Sequence, residues 1–552
     1  MNTVAAAPVS KAGGTTLVLL TLATGQFLMT LDTSVMNVSI ATVAKDVGTT
    51  VTGIQGAITA YTLVMASLMI IGAKIGAMIG RKRAFSIGCV IYAAGSLTTS
   101  LAPNLPVLLF GWSLLEGIGA TLILPAIVAL VAGNFPIEAR SRAYGIVAAA
   151  SAIAVAVGPL VGGFCTTYFS WRWVFAGEVV LVAVILVFAH RISDAPPEKR
   201  PRLDVVGAVL SATGLAMLVF GVLRSSEWGW FQPKSGGPSW AGFSPTIWLI
   251  LAGLFLLWVF FRWEARLEGQ GKEPLVPPAM LHNRQLGGGL IAFFFQFLMQ
   301  AGLFFVVPLF LPVALGLSAL ATGVRLLPLS LTLLVAALGI PRFFPTASPR
   351  LVVRAGLLAM LAGTVVLMAA LNPDAGPEVV LVPMLLIGLG VGALASQLGA
   401  VTVSAVPDEQ AAEVGGVQNT MTNLGASLGT ALAGSILIAS LTSSFLTNIQ
   451  HNPSIPASVK SEAQVKLAGG VPFASDSDLN AALDKAKVSP ATADAATTAY
   501  QDARIDGLKT SLAVLAVVVL LALFTAQRIP RRPPGSEEPR AGPGATSPAA
   551  TG

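Results

Sequence analysis

Few side chains in this 552-residue chain could do charge chemistry in an apolar setting. Asp32 sits in LDTSVMNVSI, five residues before Asn37; Glu116 sits in GWSLLEGIGATLILP beside Gly117 and Gly119; Glu178 follows SWRWVFAG. An ionisable group inside an apolar helix is costly and usually faces a cavity or a partner, so each is a candidate for handling protons or cations. A carboxylic acid withdrawn from water can hold a proton and release it when access changes. The plainer alternative is a hydrogen bond that only joins helices. At Asp32 the proton or cation reading leads and at Glu116 both readings stand open. At Glu178, near a helix end where an acid still reaches water, the structural reading comes first. Arg325 in GVRLLP also lies near an end and reads as a snorkelling side chain.

Amides form the second signal. Gln296 and Gln300, and separately Asn419, Asn423 and Ser427, recur at three or four residues and so share a helix face. They could either join helices or line a wet cavity. Cys89 and Cys165 both fall in apolar runs with no CxxC or His/Cys cluster, so neither a disulfide nor a metal is indicated. HExxH and GxSxG patterns are absent, which argues against an enzyme.

The elements that position these residues are apolar helices. With 54% hydrophobic and 11% charged residues the chain reads as membrane-embedded throughout. Fourteen spans are expected, near 16–40, 53–72, 85–101, 107–131, 143–168, 173–190, 205–223, 246–262, 286–314, 323–340, 351–371, 378–404, 413–440 and 508–527. A cytoplasmic N-terminus puts 22 of the 33 Lys and Arg inside, 5 in short outer loops and 6 in the segment 441–509, so both termini are expected in the cytoplasm. The net charge of +7 is thereby a matter of topology, and no nucleic-acid partner is expected. The start of the chain reads as an uncleaved cytoplasmic segment, 1–15. Segment 441–507, polar and rich in Ala, Ser and Asp with short helical stretches, is expected to form an extracytoplasmic cap; the Pro/Gly/Ser-rich tail 528–552 is expected to be disordered.

Several motifs resemble those of the fourteen-helix drug:proton antiporters of the major facilitator superfamily, and the likeness covers almost the whole chain. VGPLVGG, with Gly158, Pro159, Gly162 and Gly163, looks like the antiporter motif; SWRWVF and LDTSVMNV are similar to segments beside it and on the first span. IGRKR, with Gly80, Arg81, Lys82 and Arg83, resembles the gating loop between spans two and three. The chain departs from the family at four places: Ala77 and Met78 stand where Asp and Arg are usual, and on the fourth span Ser113 takes the Arg position and Glu116 the Gln position.

The resemblance implies an all-α fold of two six-helix bundles with two helices inserted between them. Residues 16–190 would form the N-terminal bundle, 191–284 the two additional helices with their linkers, and 285–440 with 508–527 the C-terminal bundle. It also implies a midplane cavity lined by Asp32, Glu116, Gln296, Gln300, Gln397, Asn419 and Asn423, with Asn37 close by. The expected activity is export of small, amphipathic or cationic molecules in exchange for protons. No cofactor beyond the proton-motive force is expected; the partners are a small-molecule substrate, protons and the lipid bilayer, and the chain is expected to act as a monomer in the cell membrane. Two alternatives remain at this point: a dedicated exporter of one metabolite or lipid, and a transporter-like sensor or assembly factor that moves nothing.

Overall fold

A computed structural model describes residues 12–532 apart from 136, 195–201, 235–236, 407–410, 454, 468–469 and 487. Most of the expected cytoplasmic start 1–15 and most of the expected disordered tail lie outside the described residues; 12–15 belong to the first helix. Fourteen long helices dominate and no strand occurs among the described residues. We number them α1 Ala12–Asp46, α2 Val51–Ile79, α3 Arg81–Ser100, α4 (Leu105–Leu108, π-helical turns Leu109–Glu116, then Gly117–Asn134), α5 Ile137–Tyr168 and α6 Arg172–Ala189. Then follow α7 Val205–Trp228, α8 Pro245–Gly269, α9 Arg284–Leu309, α10 Ala319–Phe343, α11 Pro349–Ala370, α12 Leu381–Val403, α13 Ala411–His451 and α14 Pro490–Thr525.

Thirteen of these helices are long and apolar enough to cross a membrane. The exception is α3, the expected span at 85–101: it is 20 residues long, but it opens on Arg-Lys-Arg and carries Ser96, Thr98, Thr99 and Ser100. Hydroxyl, amide and carboxyl side chains start the helices as the sequence requires, satisfying orphan backbone N–H groups at Thr50, Asn104, Asp204, Ser244, Asn283 and Ser318. Gly80, at φ +102°, makes the tight turn between α2 and α3.

Helices α1–α6 pack on one another, as do α9–α14. The bundles meet where α2 packs on α13 and α5 on α10, and the pair α7–α8 leans on α2 and α13. The expected six-plus-two-plus-six architecture is therefore found. α13 and α14 run well past the expected ends of their spans and, with the short helices Ala457–Lys466 and Asp476–Lys485, build the segment 441–507. Tyr500 and Arg504 hold this cap: Tyr500 Oη donates to Pro472 O (2.8 Å), and Arg504 Nη1 pairs with Asp476 Oδ1 (2.8 Å).

Candidate functional site: a three-carboxylate cluster

Close packing brings α3 and α4 together backbone to backbone. A methyl group on Gly95 would lie 2.8 Å from both Gly111 O and Glu116 N, and one on Gly119 would lie 2.8 Å from Gly88 O. Only glycine allows this approach, and it fixes Glu116 against α3. α1 and α6 bring the other two acids. Asp32, Glu116 and Glu178 are 0%, 0% and 3% exposed, and one oxygen from each lies within 4.8 Å of the others.

Neighbouring side chains orient the cluster. Trp112, one turn before Glu116, donates Nε1–H to both Asp32 oxygens at 3.0 Å, and its ring stacks on Tyr61 of α2 with centroids 5.2 Å apart. On α3, Tyr92, Ser96 and Thr99 share one face. Tyr92 Oη (3.3 Å) and Ser96 Oγ (3.0 Å) donate to Glu178 Oε2, while Thr99 Oγ1 lies 3.2 Å from Glu116 Oε1 and 2.9 Å from Gly95 O. The π-helical turns at Leu109–Glu116 swing Trp112 and Glu116 toward the same interior point. Glu116 Oε2, Glu178 Oε1 and Tyr61 Oη are buried without a hydrogen-bond partner among the described residues.

Charge arithmetic limits what this site can hold. Two ionised carboxylates 4.8 Å apart repel by about 3 to 4 kcal/mol at an effective dielectric of about 20, so three pairs cost about 10 kcal/mol. That equals the whole stability of many domains. None of the described ion pairs reaches these acids, so compensation must come from protons or from a bound cation. Three oxygens this close could serve either.

The other expected site residues are distributed differently. Asp32, Glu116 and Glu178 lie inside the N-terminal bundle, surrounded by α1, α2, α3, α4 and α6. Gln296 and Gln300 lie on α9, each with a buried Oε1 that has no partner among the described residues. On α13, Asn419 and Asn423 donate to their own helix, to Gly415 O (3.0 Å) and Asn419 O (2.8 Å). Ser427 on the same stripe donates to Thr59 O of α2 at 3.1 Å and so joins the bundles. Gln397 Nε2 donates to the adjacent Ser396 at 3.2 Å, and Asn37 is half-buried on α1.

The motif residues have separate tasks. Gly162 faces α1, where an added methyl would meet Val35 Cα at 3.0 Å, and Gly158 faces Ser34. Gly163 faces α10: its methyl would lie 2.7 Å from Ala319 O, while Gly323 presses in return on Pro159 O. In SWRWVF, Trp171 Nε1 donates to Asp46 Oδ2 (3.0 Å) and Arg172 pairs with Asp46 (3.1 Å), so this segment clamps the ends of α1 and α6. An acid does meet the IGRKR loop although Ala77 replaces the family's Asp: Asp194, beyond α6, accepts from the backbone N–H of Arg81 (3.1 Å) and Lys82 (3.3 Å). This cap ties the loop within its own bundle. Ser113, at the usual Arg position, donates to Ala57 O at 2.8 Å.

Sequence reasoning missed Tyr61, Tyr92, Ser96, Thr99, Trp112, Asp46 and Asp194. A signal existed for α3, where Tyr92, Ser96 and Thr99 recur at helical spacing.

Comparison with known proteins gives a consistent picture. A model described as Major Facilitator Superfamily matches residues 22–430. The puromycin resistance protein pur8 of Streptomyces alboniger is 32% identical over 419 residues, 74% of this chain and 79% of that protein. The probable actinorhodin transporter of Streptomyces coelicolor is 28% identical over 530 residues, 91% of this chain and 89% of its own length. Among solved structures, a bacterial homologue of the human lysosomal transporter Spinster, inward-facing and unoccupied, aligns with a TM-score of 0.56 at 14% identity, over 94% of this chain and 98% of that one. This last likeness concerns the fold alone.

Proposed function

We propose that this chain, which belongs to the major facilitator superfamily and is a membrane transporter and not an enzyme, exports small amphipathic or cationic molecules in exchange for protons. The observation that carries the coupling is the cluster of Asp32, Glu116 and Glu178: three buried acids, brought by three helices, with no basic partner among the described ion pairs. Thr99 Oγ1, within hydrogen-bond distance of Gly95 O (2.9 Å) and of Glu116 Oε1 (3.2 Å), can donate to either oxygen.

In the cycle, protons enter the cluster from the extracytoplasmic side and leave it on the cytoplasmic side. The unpartnered amide oxygens of Gln296 and Gln300 would accept hydrogen bonds from the substrate in the other bundle. Coupling needs only that proton and substrate stabilise different states. The protein works in the cell membrane with both termini in the cytoplasm, as a monomer, driven by the proton-motive force without a further cofactor.

A dedicated exporter is the second reading, supported by relatives named for puromycin and for actinorhodin, one compound each. Reconstitution in proteoliposomes tests both readings. Substrate-dependent proton movement with a panel of dyes and antibiotics supports proton-coupled export, and its absence with every compound that is transported would refute the coupling. Movement of a single compound from the panel supports the dedicated reading.

A further inference from the structure

Five arginines converge at the end of the C-terminal bundle opposite the cap. Arg284 opens α9, Arg350 and Arg354 lie one turn apart at the start of α11, and Arg528 and Arg531 follow α14. With Phe524 and Gln527 they line a cavity of about 550 Å³ that has no acidic side chain in its wall. No described ion pair involves any of the five. The site is also fastened in place. Arg350 donates its backbone N–H to Pro530 O (3.2 Å) and its Nε to Ile529 O (2.7 Å), leaving both Nη groups to other acceptors. Gly288 lets α9 close on Arg528: a methyl there would lie 2.7 Å from Arg528 Cβ.

Two long helices also begin at this cavity, α9 and α11, so their dipoles add to the positive field. An apolar stripe runs away from the cavity on the packed pair α11 and α14. On α11, Leu358 and Val365 are 54% and 43% exposed and continue the face that carries Arg354. On α14, Val517, Leu521 and Phe524 are 54%, 52% and 71% exposed at helical spacing.

We propose that this cavity is a binding site for the phosphate headgroup of an anionic phospholipid, whose acyl chains lie along the α11–α14 stripe. Planar guanidinium groups match phosphate oxygens side by side, and a basic pocket between membrane helices suits such headgroups. A free phosphate would use the arginines equally well but would leave the apolar stripe unused.

The test is thermal stability and native mass spectrometry of the full-length protein in detergent. Added lipids are phosphatidylglycerol, cardiolipin and phosphatidylcholine, with inorganic phosphate and glycerol phosphate as separate arms. Phosphatidylglycerol or cardiolipin is expected to raise the melting temperature by several degrees and to give retained lipid adducts, whereas phosphatidylcholine does neither. Arg350→Gln combined with Arg354→Gln is expected to reduce the adducts at least about fivefold, while Arg266→Gln, a basic residue outside the cavity, leaves them unchanged. Should the double variant fail to fold, Arg528→Gln and Arg531→Gln, both exposed in the protein, carry the same expectation. Equal retention of anionic lipid by the arginine variants would overturn the proposal, as would stabilisation by inorganic or glycerol phosphate as large as that by the lipids.

Discussion

The two bundles share an architecture but bury different chemistry. The interior of α1–α6 holds three carboxylates ringed by Trp112, Tyr61, Tyr92, Ser96 and Thr99. Among the described residues, the interior of α9–α13 buries hydroxyls and amides, such as Gln296, Thr322, Ser330, Asn423 and Ser427, and no acid. Buried amides can satisfy one another or a ligand without changing charge, whereas clustered acids must hold protons or a cation to stay buried. Under the function proposed above, the contrast amounts to a division of labour, in which one bundle would handle charge and the other would shape the substrate site.

The largest effect should come from Asp32→Asn, which keeps the volume and can still meet Trp112 but cannot ionise. Proton-driven efflux is expected to fall on the order of a hundredfold, ~2.7 kcal/mol, with gel-filtration behaviour unchanged. Gln296→Ala, on the other side of the comparison, should raise the substrate concentration needed for half-maximal transport several-fold while the protons moved per substrate stay the same. If Gln296→Ala uncoupled transport and Asp32→Asn did not, the division would be reversed.

Glu116→Gln should have the next effect. It restores the residue that the fourth-span motif usually has, yet removes one of three acids from the cluster, so the pH dependence of transport should change shape. An identical pH profile would make Glu116 a structural partner of Thr99 and nothing more. Gly163→Val tests the contact between the bundles where an added methyl already lies 2.7 Å from Ala319 O. Overpacking of this kind costs about 1 to 3 kcal/mol, so cysteines introduced on the cavity wall at the cap end should label several-fold faster. Unchanged labelling would mean that α5 and α10 do not close that end.

The smallest effects concern the gating loop. Asp194→Ala removes the cap of α3 and should cost about 1 kcal/mol, read as a lower melting temperature. Ala77→Asp should shift the state populations several-fold toward outward-facing, read as opposite changes in cysteine labelling on the two faces, because contacts of this kind contribute about 0.3 to 2 kcal/mol. Equal labelling in wild type and variant would show that the Asp194 cap already does the work of the missing acid.

Much of this was legible in the sequence, for physical reasons. Asp32, Glu116 and Glu178 stood out because apolar runs tolerate few charges. VGPLVGG marked close packing because its glycines leave room for a neighbouring backbone. What sequence spacing could not give was the meeting of the three acids, since it depends on how α1, α4 and α6 cross. The hydroxyls of α3 did carry a signal in their helical spacing, but their role as partners of Glu178 and Glu116 depends on the same crossing of helices. The five arginines near Phe524 read individually as topology signals, and their convergence needs the packing of α9, α11 and α14.

In the proposed cycle the acid cluster exchanges protons when substrate binds. Proton release on adding a transported compound to the purified protein, followed with a pH-indicator dye in weakly buffered detergent, tests it most directly. Release from the wild-type protein is expected to scale with bound substrate and to be lost in Asp32→Asn. Equal release from wild type and Asp32→Asn, or none from a wild-type protein that demonstrably binds the compound, would contradict it.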